Sequence, residues 1–477
     1  SVSFRDGTAA QHAADEIMRF VERKQKRKTA KTSQILIPLN SGKEKEDFKR
    51  KKRNIVWLCL DGLRVDKLFC CGNHEQPKLF VDEVLSRGIL FSKVFSAAAG
   101  TQTSMHAVFT SMYPSSNGAL GWTREALNRL DPHVLSLTDF LKRGGYHTSF
   151  YCDAVTPQVV PKSGFDVWES SGYRVGKIIE NTNPAMDCLK RDEFIHQYNQ
   201  REGPKFAYLH MVLLHDLNCK LGKSWPSEKY EYNITQISES LEQLLQKIKV
   251  DEDDLLIIST DHGVTLDTPY VEYERQYGPR HEEISNLTFC SFITKDITPC
   301  HINKLVSAID IAPTILDIIN TGPMGAQGRS LLPLMLGGIY EPVMVFREKG
   351  AAYDIPPSPN ESNLWCVRTE KWKYVTHKWR KDCEWLIDLG NDPDYTNNLI
   401  GKGLEIEKTL RDAVHKMLID NPKKPLEIYA ENNLDFSRRG IKPVTSVIIP
   451  VVRATPHLKD SIESLLTQIG PYFELMI

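Results

Sequence analysis

Residues 54–64 read NIVWLCLDGLR, and residues 257–263 read IISTDHG. Each is a β-branched, apolar run that ends at an aspartate with a glycine close behind. Runs without alternation, closed by a turn, are the pattern of strands buried on both faces of a parallel sheet. An aspartate at the carboxyl end of such a strand faces the crevice in which open α/β sheets hold their ligands. Working outward, further strand-like runs fall at 148–151, 206–212 and 288–293. Helical patterns fall at 80–87, 135–143, 234–248 and 309–319, with an amphipathic closing helix at 406–418. This alternation predicts an α/β body with a central, mostly parallel sheet flanked by helices, over about 54–421.

Composition sets the outer bounds. The chain has 477 residues, 41% hydrophobic and 25% charged, so it holds ample apolar material for a large core without disulfides. No apolar run reaches the roughly 18 residues of a membrane span. The opening SVSFRDGTAAQ has no basic start followed by an apolar stretch, so no secretory leader is read there. Ten cysteines are scattered without a CxxC pair, which excludes a zinc ribbon and suits reduced thiols. The expected location is the cytoplasm. A net charge of −1 hides an uneven distribution, because residues 21–53 hold 13 Lys/Arg against 4 Asp/Glu. Such a run is ordinarily a solvated linker. The sharper reading is contact with an anionic polymer or the inner membrane surface.

Three polar clusters carry chemistry. Asp61 and Gly62 close the first strand; the pair is either a simple turn or a cation-holding carboxylate. Asp261, His262 and Gly263 close another strand and offer an oxygen and a nitrogen ligand, with glycine allowing a sharp turn behind them. The third cluster is AAAGTQTSMHAVFTSMYP, residues 97–114, where a small-residue loop leads through Thr101 into a helix. Thr101 is either an ordinary N-cap or a hydroxyl presented where the helix N–H groups favour an anion.

Taken together, the clusters resemble the sulfatase branch of the alkaline phosphatase superfamily. In its motif C/S-x-P-S-R-x4-T-G-x2-P, Thr101 takes the nucleophile position, Ser104 the Ser, Thr110 the Thr, Ser111 the Gly and Pro114 the Pro. SLTDFLKRGGYHTSFY (136–151), IDIAPTILDIIN (309–320) and GRSLLPLMLGG (328–338) resemble later blocks of that branch. RTEKWKYV (368–375) and EWLIDLGNDPDYTNNL (384–399) resemble its small C-terminal α+β subdomain. The resemblance implies a metal site of Asp61, Asp261, His262 and the Thr101 hydroxyl. It gives His215 a catalytic role and places Ser104, Arg280 and His281 with the substrate. His210, five residues before His215, reads as a packed strand histidine.

The departures shape the expected chemistry. A sulfatase needs a Cys or Ser oxidised to formylglycine, and this chain has Thr101. The Pro and Arg of that motif are Thr103 and Met105, and the second Asp of the usual Asp-Asp pair is Gly62. These changes resemble the phosphorus-handling relatives. The expectation is a phosphodiester or phosphonate-monoester hydrolase, or a phospho-alcohol transferase, acting through phospho-Thr101. The alternatives are a sulfate-ester hydrolase and a non-catalytic scaffold. The histidine ligand favours Zn²⁺ or Mn²⁺ over Ca²⁺ or Mg²⁺. The expected substrate is a phosphorylated or phosphonylated small molecule or glycan, with no nucleic-acid partner.

The ends give context. Residues 4–20 resemble the last helix of GT-B-like polymer enzymes such as the glycerophosphotransferases of teichoic acid synthesis. Residues 444–477 resemble the opening of a family 2 glycosyltransferase. The expected division is a preceding domain's end (1–20), a basic linker (21–53), a catalytic domain (54–340), its C-terminal subdomain (341–421), a second linker (422–443) and the glycosyltransferase-like start. That order implies flanking glycan-building domains and a role in capsule- or teichoic-type synthesis.

Overall fold

The computed structural model describes residues 48–98, 100–119, 130–152, 159–170, 188–212, 214, 226–264, 266–267, 283, 286–339, 343–349, 364–377, 384–392, 396–432, 445–448 and 473–476. Its central sheet has nine strands: β1 (Ile55–Leu60), β2 (Ile89–Phe95), β3 (His147–Cys152), β4 (Val167–Ser170), β5 (Lys205–Met211), β6 (Leu255–Ser259), β7 (Leu287–Ile293), β8 (Cys300–Ile302) and β9 (Val306–Ser307). Their order is β4-β3-β5-β1-β6-β7-β2-β8, with β9 also beside β2. From β4 through β6 all pairings are parallel, and β7 runs antiparallel to both β6 and β2. The expected mostly parallel sheet is therefore observed.

Alternate residues of each strand feed opposite cores. On one side Ile55, Trp57, Phe206, Tyr208, Leu255 and Ile257 meet α2 (Thr101–Thr110), α3 (Leu137–Arg143) and α6 (Ile311–Ile318). On the other side Val56, Leu58, Ala207, Leu209 and Ile258 meet α1 (Phe80–Leu85), α4 (Cys188–Gln200) and α5 (Ser227–Lys247). Burial on both faces explains why the strand runs are apolar throughout.

A second sheet is antiparallel, with order β10 (Val345–Lys349), β11 (Leu364–Arg368), β12 (Trp372–His377) and β13 (Trp385–Asp388). One face, with Phe346, Val367, Tyr374 and Leu386, packs on α7 (Glu405–Val414) through Leu410 and Val414. The other face, with Val345, Cys366 and Val375, packs on Phe95 and Leu305 of the main body. Farther on, β14 (Thr445–Ile448) and β15 (Phe473–Met476) pair in parallel.

Two boundaries of the sequence reading need correction. Residues 48–53 are tied to the body rather than forming free linker: Arg53 donates to Thr294 Oγ1 at 2.9 Å and pairs with Asp296, while Arg50 pairs with Asp317 at 2.8 Å. The segment assigned to the second linker contains a helix, Pro425–Glu431, whose Ile428 and Tyr429 are buried in the main core. Pro425 at the first helical turn and the Tyr429 hydroxyl, which accepts from Leu135 N at 2.8 Å, account for its docking. Residues 1–47 lie outside the described residues, so the resemblance over 4–20 and most of the basic run do too. Among the described residues no helix is long and apolar enough to cross a membrane.

Candidate active site

Three adjacent parallel strands bring the site together. β1 lies between β5 and β6, with Cys59 level with both His210 and Ser259. The residues just past these strands therefore emerge side by side at the carboxyl edge. The Asp61 N–H donates to Met211 O at 3.0 Å, extending that register by one step. The Gly62 N–H donates to Asp261 Oδ1 at 3.1 Å, and the His262 N–H donates to the same oxygen at 2.9 Å. Gly62 has φ 72°, a left-handed turn that directs the chain away behind the carboxylate.

Thr101 arrives on α2. Gly100, with φ 89°, is the N-cap, so Thr101 is the first helical residue and its hydroxyl does not cap the helix. The helix is fixed from beneath: Phe109 stacks on Trp57 at 5.1 Å, and the Trp57 indole donates to Ser259 Oγ at 2.9 Å. The N–H groups of the first turn and the helix dipole make this end of α2 favourable for negative charge.

The side chains converge. Thr101 Oγ1 lies 3.1 Å from His262 Nε2 and 3.5 Å from Asp61 Oδ2. His262 Nε2 is 3.4 Å from Asp261 Oδ2 and 3.9 Å from Asp61 Oδ1. The Nδ1 of His262 lies 2.8 Å from Gly263 O and donates to it, so Nε2 turns a lone pair toward the other three. Burial acts to lower the His262 pKa, but the Asp261 and Asp61 carboxylates outweigh it and hold the imidazole above its ordinary value. The structure thus brings together Asp61, Thr101, Asp261 and His262.

A fifth residue joins them that the sequence reading left in the core. His210 Nε2 is 3.1 Å from Asp61 Oδ2, and its Nδ1 is 2.8 Å from the Tyr208 hydroxyl. Ligand atoms of Asp61, His210 and Asp261 lie within 4.8 Å of one another, and all three residues are buried. Asp261 Oδ2 is buried and accepts no hydrogen bond among the described residues. Two buried carboxylates with His210 among them, and His262 and the Thr101 hydroxyl within 4 Å of one or both carboxylates, suit a divalent cation, which would satisfy that oxygen.

Ser104 lies behind this point. It is fully buried, and its hydroxyl donates to Asp261 O at 2.9 Å, so it holds the ligand's backbone rather than lining an open surface. His215, Arg280 and His281 lie outside the described residues.

Comparison with known proteins now bears on this arrangement. Residues 53–321 match the sulfatase family, and residues 289–423 match the C-terminal region of N-sulphoglucosamine sulphohydrolase. An ulvan-active sulfatase of Formosa agariphila is 25% identical over 312 residues, covering 62% of this chain and 60% of that protein. The chain thus spans about three fifths of that relative's length. A sulfatase structure from Bacteroides thetaiotaomicron superposes with a TM-score of 0.61 at 17% identity, covering 85% of this chain and 96% of that one. The phosphonate monoester hydrolase of Agrobacterium radiobacter superposes with a TM-score of 0.58 at 16% identity, covering 80% and 96%. A third structure, determined with its substrate D-glucosamine-2-N,6-O-disulfate, superposes with a TM-score of 0.56 at 15% identity, covering 80% and 99%. These structural likenesses establish the fold. The family match extends over more than half of the chain and spans every strand that supplies the site: this chain belongs to the sulfatase family, within the alkaline phosphatase superfamily.

Proposed function

We propose that the chain is a metal-dependent hydrolase of anionic esters on glycans, with sulfate esters as its first substrate class. The observation that carries this reading is the approach of the Thr101 hydroxyl to His262 and Asp61, with Asp261 beside them. The sulfate assignment corrects the phosphorus-first expectation drawn from the motif. It is supported by the family match, by a relative named as a sulfatase, and by a structure of the same fold bound to its substrate, a disulfated glucosamine. Asp61, Asp261, His262 and His210 would hold the cation, with the Thr101 hydroxyl as a further oxygen. A bound divalent cation would lower the pKa of a coordinated hydroxyl and offset charge on the ester oxygens. The nitrogen donors favour Mn²⁺ or Zn²⁺, and the carboxylates equally accept Ca²⁺ or Mg²⁺.

In the proposed reaction the Thr101 hydroxyl gives its proton to solvent and Oγ1 bonds to the sulfur as the bond from sulfur to the glycan oxygen breaks. The departing oxygen takes a proton, a role assigned to His215. Water then attacks the sulfur, releasing sulfate and restoring the Thr101 hydroxyl. The first turn of α2 favours the negative charge that accumulates.

A second reading is favoured by Thr101 itself. A threonine cannot supply the formylglycine that a Cys or Ser yields, whereas the same attack on phosphorus needs only the hydroxyl. The phosphonate monoester hydrolase shares the fold. The test is turnover of an aryl sulfate, an aryl phosphonate monoester and a diaryl phosphate by the chain with each of the four metals. Aryl sulfate turnover is expected to dominate, and Thr101→Ala is expected to reduce it by about a thousandfold or more. Dominant turnover of a phosphorus ester would replace the first reading with the second. Near-normal turnover in the Thr101→Ala protein would overturn both.

A further inference from the structure

Outside the catalytic cluster the chain holds a pair of adjacent cysteines, Cys70 and Cys71, within LFCCGNH (68–74). They lie on a single 3₁₀ turn, Phe69–Cys71, which Gly72 closes in a left-handed conformation with φ 111°. The backbone of this turn is fixed from several directions. The Cys70 N–H donates to Asp82 Oδ1 at 2.9 Å, the Cys71 N–H to Leu68 O at 3.2 Å, and the Gly72 N–H to Phe69 O at 3.1 Å. Asp82 is itself buried on α1 and also accepts from Leu79 N at 2.9 Å. Both cysteines pack against the second core yet keep part of their surface open to solvent, whereas Cys59, Cys152, Cys290 and Cys366 are buried.

Adjacency alone does not bring the two sulfurs together. At three residues per turn, neighbouring side chains on a 3₁₀ turn diverge by about 120°. The two Sγ atoms nonetheless lie 3.9 Å apart, so both side chains are rotated toward each other. A tetrahedral ion with zinc–sulfur bonds of about 2.3 Å places two thiolates roughly 3.8 Å apart. The observed spacing is therefore that of a chelating pair. Charge favours the same occupant. The Cys70 thiol is held well above its ordinary pKa, first by its hydrogen bond with Cys71, then by burial, with the Asp82 carboxylate adding to both. Two thiolates beside a carboxylate repel one another, so the protons stay in place until a cation replaces them. A protonated thiol is a poor nucleophile, and soft sulfur ligands select a thiophilic cation over a hard one.

We propose that Cys70 and Cys71 form a second metal site, separate from the carboxylate and imidazole cluster, that chelates one thiophilic divalent cation of the Zn²⁺ kind through both sulfurs. Each thiol gives its proton to solvent as its sulfur bonds to the ion. Asp82 adds negative charge beside the pair, and solvent takes the remaining positions of the tetrahedron. No residue of this site takes part in the proposed ester hydrolysis, so the inference stands apart from the reading given under Proposed function.

The test is titration of the full chain, kept reduced and with Mn²⁺ in excess, with Cd²⁺ as a spectroscopic stand-in for Zn²⁺. A thiolate bound to cadmium gives an ultraviolet charge-transfer absorption that carboxylate and imidazole ligands do not give. The unmodified chain is expected to develop this absorption and to saturate it at one Cd²⁺ per chain. Cys70→Ser and Cys71→Ser each remove one sulfur with little change in volume. Each is expected to weaken Cd²⁺ binding, read from the same absorption, by about a hundredfold or more. Urea unfolding without Cd²⁺ checks that each variant is folded, and if one is not, the other decides. Absence of the absorption from the unmodified chain would overturn the proposal. So would undiminished Cd²⁺ affinity in either folded variant, because the absorption would then come from other cysteines.

Discussion

Tyr208 controls what His210 can do. Burial pushes the Tyr208 pKa well above its ordinary value, so the hydroxyl keeps its proton beside His210 Nδ1 at 2.8 Å. If that hydroxyl donates, His210 Nε2 carries its proton toward Asp61 Oδ2 and orients the carboxylate. If a cation takes Nε2 instead, Nδ1 donates to the Tyr208 oxygen. In both states His210 supports the metal site from within the sheet. Losing such a partner typically lowers metal affinity by about 10- to 100-fold. His210→Ala is expected to do so, and Tyr208→Phe to have a smaller effect, in a competition titration against a chelating dye. Unchanged affinity in His210→Ala would remove the residue from the site. Asp61, Thr101, Asp261 and His262 were legible in the sequence because each closes a strand or opens a helix. His210 was not. It sits in the last turn of an ordinary strand pattern, and only the register with Cys59 reveals that it ends up beside Asp61.

At the scale of the element, α2 explains why the family motif has glycine where this chain has Ser111. Ser111 caps the helix with φ 53°, a left-handed conformation that disfavours a β-carbon. The serine has compensation, because its hydroxyl donates to Ile309 O at 2.7 Å and accepts from Gly328 N at 3.2 Å. Two variants separate the two effects. Ser111→Ala keeps the strained cap and loses both bonds; Ser111→Gly loses the bonds and relieves the strain. Ser111→Ala is therefore expected to be less stable than Ser111→Gly by about 1 kcal/mol in urea unfolding. Equal stability of the two would show that the cap conformation costs nothing here. The motif residue was legible in the sequence, but the reason for its exchange required the ladder of contacts with Ile309 and Gly328.

At the scale of the whole molecule, the three-layer body was legible because its strands are apolar throughout and its helices are periodic. β2 escaped notice: Ser92 and Lys93 interrupt ILFSKVF, and its antiparallel pairing with β7 breaks the simple alternation of strand and helix. The docking of the antiparallel sheet was not legible at all. It rests on contacts between distant segments, with Leu305 N donating to Glu370 Oε1 at 2.7 Å, Lys93 pairing with Glu370 at 3.6 Å, and Glu348 reaching Ser115 at 2.8–2.9 Å. Glu348 makes this junction sensitive to pH. Burial raises its pKa from 4.5 to about 7, although the Ser115 N–H and hydroxyl act to lower it. The folded protein therefore holds this proton more tightly than the unfolded chain. The stabilisation from Glu348 is complete below the unfolded pKa and is lost as pH rises through the folded one. A shift of that size corresponds to roughly 3 kcal/mol between the two limits. Glu348→Gln retains an acceptor for Ser115 and cannot ionise. Relative to the unmodified chain, it should gain about 2 to 3 kcal/mol in unfolding free energy between about pH 5 and about pH 8. Urea unfolding of both proteins at the two pH values measures this difference. A stability difference that stays constant across the range would mean that Glu348 is already ionised at acid pH, and that the junction between the two sheets holds a charge rather than a proton.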